Sequence, residues 1–127
     1  MRKQVAIVHY NTPDLLDALI KSIRKHGGEE YQIVIFENSN ERPYNRRMRG
    51  VRVIDNTKGQ LVDFDAELAK WKKDKDQGYS KGCNFGSVKH MLSVEWLMQN
   101  MEEPFVLMDS DILLKAPIDD MFDDQYT

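Results

Sequence analysis

An α/β fold, a mostly parallel sheet flanked by helices on both faces, is what this chain of 127 residues predicts. Three observations lead there. Val5-Ala6-Ile7-Val8 is a compact, largely β-branched apolar run, and the pattern then switches to helical spacing at Leu15, Leu16, Leu19, Ile20 and Ile23. Gln32-Ile33-Val34-Ile35-Phe36 returns to a strand pattern, completing the strand-helix-strand unit from which parallel sheets are built. Finally, Phe105 to Leu114 is a further apolar stretch, bounded by Pro104 and Pro117, that carries Asp109 and Asp111 within it.

The first run is expected to be a fully buried strand. Thr12 can cap the helix that follows, with Pro13 and Asp14 in its first turn and Lys25-His26-Gly27-Gly28 at its end. Gln32 to Phe36 forms the second strand and Val51 to Ile54 a short third. Leu61, Phe64, Leu68 and Trp71 share one helical face, and acids and lysines fill the remainder, so a partly exposed helix is expected there. Gly78 to Gly82 reads as a loop. Ser87 can cap a helix running through Met91, Leu92, Val94, Trp96 and Leu97 to about Asn100, which leads into an interior acidic strand beginning at Phe105. No repeat or low-complexity tract divides the chain, so a single domain over residues 1–127 is expected.

Composition excludes several classes. Hydrophobic residues at 41% and charged residues at 31% are those of a globular domain. No apolar stretch approaches the ~18 residues of a membrane helix, and no secretion signal is recognisable. A lone cysteine, Cys83, forms no internal disulfide, so a reducing, cytoplasmic setting is expected. The net charge of -3 argues against a nucleic-acid partner. Arg42, Arg46, Arg47, Arg49 and Arg52 crowd one region; a solvated loop is the simpler reading and an anion or acidic-partner site the sharper one.

Asp109-Ser110-Asp111 makes the main chemical statement. Parallel sheets hold ligands at the carboxyl ends of their strands, and two carboxylates there suit Mg²⁺ or Mn²⁺, which neutralises a diphosphate that the acids alone repel. The plain alternative is a pair of turn residues.

Four features in order, Tyr10-Asn11-Thr12-Pro13, Glu37-Asn38-Ser39-Asn40, Asn84-Phe85-Gly86 and Asp109-Ser110-Asp111, resemble the Rossmann-like, nucleotide-sugar-binding half of GT-A glycosyltransferases, nearest to family 2. The resemblance spans about residue 4 to residue 123. It implies that Tyr10 lies against the nucleotide base, that Asn11 shapes the turn, and that Glu37, where Asp is more usual, reads the base edge with Asn38 beside it. It further implies that Asp109 holds the ribose or a metal-bound water and Asp111 ligates the divalent ion, the pair forming the metal site. Lys89 or His90 would approach a phosphate. Asn56-Thr57-Lys58-Gly59 and Asn84-Phe85-Gly86 are similar to the two ends of the family's Asn-Gly-rich segment, with a charged helical insertion between them.

In that family, acceptor-binding elements and an Asp or Glu general base follow the Asp-x-Asp strand. No residue up to Thr127 matches that base, so the chain is expected to be the donor-binding part of a catalytic domain truncated after that strand. The implied activity is glycosyl transfer from a nucleotide-diphosphate sugar to an unknown acceptor. Two alternatives stand beside it: a non-catalytic nucleotide-binding or interaction module using the Arg-rich loop, and a metal-dependent nucleotidyltransferase, although neither GxGxxG nor GxxxxGK[ST] occurs. Simpler readings also exist for single residues. Tyr10 can be the polar-tipped end of a core strand, and Glu37 a turn acid; Trp71 and Trp96 are expected to pack. Asp119, Asp120, Asp123 and Asp124 fit a solvated helix start.

Overall fold

A computed structural model describes residues 3–27, 30–75, 85–110, 112, 113, 115 and 118, the side chains of Leu68, 71–75 and 85–87 aside. Its elements in chain order are β1 (Lys3–His9), α1 (Pro13–Gly27), β2 (Tyr31–Glu37), β3 (Val51–Asp55), α2 (Phe64–Lys75), α3 (Phe85–Asn100) and β4 (Phe105–Asp109). The four strands are parallel, in the order β3-β2-β1-β4. Val5 is in register with Ile33 on one side and Val106 on the other.

The period-2 alternation of the strands sorts the core into two layers. Val5, Ile7, Ile33, Ile35 and Met108 point to one face, where they meet Leu16, Leu19, Ile20 and Ile23 of α1. Burying each of those four helix side chains stabilises by about 2 kcal/mol, several times what propensity differences among ordinary residues contribute, so the packed stripe holds α1 in place. Leu15, expected in that stripe, is exposed instead, because it falls beside the arc that Leu16, Leu19, Ile20 and Ile23 already fill. The chain between β2 and β3 has no helix. Its Tyr44 and Met48 pack onto the α1 layer, so a loop does the covering there.

On the opposite face Ala6, Val34, Phe36 and Ile54 pack with Leu97 of α3. Trp96 adds its ring to Phe36 at a centroid distance of 5.2 Å, as a packing residue. Helices thus flank both faces of the sheet.

At the amino ends of the strands, Arg24 in the last turn of α1 donates to the carbonyl oxygens of Tyr31 (2.6 Å) and Gly50 (3.0 Å). Gly50 has φ 74°, a left-handed conformation that favours glycine, and the Arg24 guanidinium lies against it.

Some expectations need correction. β4 was expected to be an interior, buried strand, but it lies at the edge of the described sheet and ends at Asp109. Within it Met108 is buried, whereas Leu107 and Asp109 are exposed. Apolar runs serve edge strands as well when one face is covered, and sequence periodicity does not separate the two cases. Leu61 precedes α2 and is exposed. α3 begins two residues before Ser87. Among the described residues no helix is long and apolar enough to cross a membrane.

Candidate functional site at the carboxyl ends of the strands

The chain runs from β1 outward to β2 and β3, then returns past β1 to β4. The direction reverses between β1 and β4, and such a switch point leaves a crevice at the carboxyl ends of the strands. The two loops bordering it touch, with the Thr12 hydroxyl 3.3 Å from that of Ser110.

His9, the last residue of β1, organises this edge. Its side chain is fully buried, its Nε2 accepts the Thr12 amide (3.0 Å), and its Nδ1 lies 2.7 Å from Glu37 Oε2. An amide donating to Nε2 assigns the ring proton to Nδ1, which donates to the Glu37 carboxylate. Glu37 also accepts the backbone amides of Ser39 through Oε1 and Tyr44 through Oε2, both at 2.9 Å. Burial raises the Glu37 pKa, yet hydrogen bonds from His9, Ser39 and Tyr44 outweigh it and hold the carboxyl below its usual range.

Strand parity explains this inward turn. Glu37 has the parity of Ile33 and Ile35, which point to the α1 face. It is 2% exposed and both oxygens are engaged. The expected base-reading acid is therefore a structural hub beneath the 39–44 loop. Asn38 is buried as well: its amide donates to Ser93 of α3 and its carbonyl oxygen accepts from Asn56. Asn56 in turn accepts the amides of Leu61 and Val62, shaping the approach to α2.

Asn11 sits at φ 55°, a left-handed conformation that Asn tolerates better than most residues. Its backbone amide donates to the Ser39 hydroxyl, while its side-chain oxygen accepts the amides of Glu41 and Arg42. Its side-chain amide also donates to Asn40 Oδ1 (2.6 Å), so the side chain is directed at the protein's own 40–42 segment.

Beside this hub a cleft of about 420 Å³ opens over the ends of β2 and β3, with Ser39, Asn40, Thr57, Lys58, Phe64 and Lys89 in its lining. Tyr10 is 45% exposed, and the Lys89 ammonium lies 5.1 Å from its ring centroid and 5.5 Å from that of Phe64. Asp63 places Phe64: its carboxylate caps α2 by accepting the Ala66 amide, fixing Phe64 at the helix start. The structure thus brings Tyr10 and Lys89 together, and adds Phe64. His90 is exposed on α3.

Asp109 is exposed at the end of β4 and in register with Val8. Alternation gives it the parity opposite to Met108, so its side chain leaves the sheet on the α3 face. Because Asp109 is exposed, burial cost gives no reason to demand a partner for its charge. Asp111 lies outside the described residues, as do Cys83, Asn84, Asp119, Asp120, Asp123 and Asp124. Among the described residues no group of three His, Cys, Asp or Glu side chains gathers. A single exposed carboxylate such as Asp109 is one donor of the oxygen type that Mg²⁺ takes. Within the Arg-rich segment, Arg46 pairs with Asp17 at 2.9 Å, while Arg42, Arg47, Arg49 and Arg52 are exposed.

Comparisons with protein-family models, with curated proteins and with solved structures find no match to this chain. Sequence reading missed His9 and the part Phe64 plays. A histidine directly after a β-branched run was the available signal for the first, whereas Phe64 read simply as one of several apolar positions on α2.

Proposed function

We propose that this chain binds a nucleotide-diphosphate sugar with a divalent metal and holds it for glycosyl transfer to an acceptor. One observation carries the reading. Around the switch point of a β3-β2-β1-β4 parallel sheet, an exposed aromatic (Tyr10), a cation (Lys89) and an exposed carboxylate (Asp109) stand at or beside the carboxyl ends, the carboxylate on the face that α3 covers. These are the three chemistries that a base, a diphosphate and a metal require.

In this reading Tyr10 lies against the base and Lys89 reaches the diphosphate. Asp109 and Asp111 hold Mn²⁺ or Mg²⁺. Such a metal, when bound, offsets the diphosphate charge and favours departure of the nucleoside diphosphate. Glu37 and Asn38 contribute from beneath by fixing the loops after β1 and β2, since their polar atoms are already engaged.

Calorimetric titration with UDP, GDP and their sugars, with and without Mn²⁺, tests this. Metal-dependent binding that disappears in Asp111→Ala is expected. Binding that ignores both the metal and that substitution counts against the donor site, and metal-dependent binding without transfer to any acceptor indicates a nucleotide-binding module.

A further inference from the structure

The ammonium of Lys89 lies over two aromatic rings at once, Tyr10 from the loop after β1 and Phe64 from the start of α2. Phe64 and Lys89 also line the open cleft. We infer that Tyr10 and Phe64 are the two walls of a slot for the nucleoside base, and that Lys89 is its resident occupant until a nucleoside diphosphate displaces it. This deepens the donor reading and rests on it.

The physical basis is an exchange between two ligands of the same surfaces. Aromatic faces attract a cation electrostatically, and the same faces stack on any flat base. Lys89 is a long, flexible side chain from α3, whereas Phe64 is anchored where Asp63 caps α2, so the ammonium is the part that moves. A free nucleoside must evict the ammonium and offers it no anion. Inorganic diphosphate offers the anion but leaves the rings to be covered by nothing better than water. A nucleoside diphosphate supplies both, covering the rings with its base while its phosphates receive the displaced ammonium in a charge-assisted hydrogen bond. The arrangement therefore selects ligands in which base and diphosphate are joined.

The test compares UDP and GDP, their parent nucleosides and inorganic diphosphate, all with Mn²⁺, on the 127-residue chain and two variants. Phe64→Leu keeps apolar bulk and removes the aromatic face. It is expected to weaken nucleoside diphosphate binding roughly tenfold, the size of one stacking contact, and to leave inorganic diphosphate affinity level or slightly raised, since one of the two rings that hold the ammonium is gone. Lys89→Ala empties the slot, so nucleoside affinity is expected to rise about threefold while nucleoside diphosphate affinity falls. Unchanged nucleoside diphosphate affinity in Phe64→Leu, or an equal loss for inorganic diphosphate, overturns the slot while leaving the donor reading intact. Nucleoside affinity that stays level or falls in Lys89→Ala overturns the occupant role. If the unaltered chain binds neither UDP nor GDP, the donor reading fails and the slot with it.

Discussion

His9 Nδ1 lies 2.7 Å from Glu37 Oε2, with both side chains buried, at the point where β1 and β2 end side by side. The contact ties together the loops that follow the two strands. From His9 it passes to the Thr12 amide at the start of α1, and from Glu37 to the amides of Ser39 and Tyr44. A carboxylate in this position acts as scaffold for the cleft rather than as part of its open lining.

Removing that scaffold is costly. Glu37→Ala leaves the His9 ring proton and two buried amides without their acceptor, and we expect a loss of about 3 kcal/mol in unfolding free energy. Glu37→Gln keeps an acceptor and is expected to lose less. Urea denaturation of the two variants beside the parent checks both; an Ala variant as stable as the parent refutes the hub.

Stability is expected to fall in acid. In the folded chain Glu37 is held below the 4.5 of a free Glu, despite burial, by the hydrogen bonds it accepts. Asp17 is held below 3.8 by the Lys21 hydrogen bond first and then by the Arg46 charge, against some burial cost, and Asp55 below 3.8 mainly by the Thr57 hydroxyl. The unfolded chain then binds protons more readily than the folded one. The stabilisation is complete above the unfolded pKa values and drains away as pH falls through the lower folded ones. Urea midpoints should therefore be level near neutrality and decline below about pH 4.5. Glu37→Gln should make that decline shallower.

At Asn11 conformation and hydrogen bonding separate. Asn11→Ala puts a residue of low tolerance at φ 55° and deletes the bonds to the Glu41 and Arg42 amides, whereas Asn11→Gly deletes the bonds but relaxes the backbone. We expect the Ala variant to be the less stable of the two by about 1 kcal/mol. Equal melting temperatures would indicate that the left-handed turn carries no strain.

Chelation offers a separate check on the acidic end of β4. Under the donor reading, adding EDTA or introducing Asp109→Asn is expected to weaken UDP or GDP binding by about tenfold or more, with no change in unfolding free energy, because Asp109 is exposed. A drop in stability alongside the drop in binding points instead to a structural role for this carboxylate.

Much of this molecule was legible from residue order. The runs Val5 to Val8, Gln32 to Phe36 and Val51 to Ile54 are strands, and the stripe from Leu16 to Ile23 is a buried helix face, because apolar period is a local property that survives without knowledge of neighbours. The strand order, the edge position of β4 and the direction of Glu37 depend on which segment lies beside which, and no local pattern encodes that. Glu37 shows the reason most plainly. Its type and place suited a ligand-facing acid, but strand parity turned it toward the α1 face, and His9, contributed by a strand 28 residues earlier, completed its burial. Phe64 came to stand beside Lys89 only once α2 and α3 had been brought over the same end of the sheet. Sequence by itself determined the elements and their apolar faces; tertiary packing decided which polar groups meet the solvent and which meet each other, since that choice is made by contacts between residues far apart in the chain.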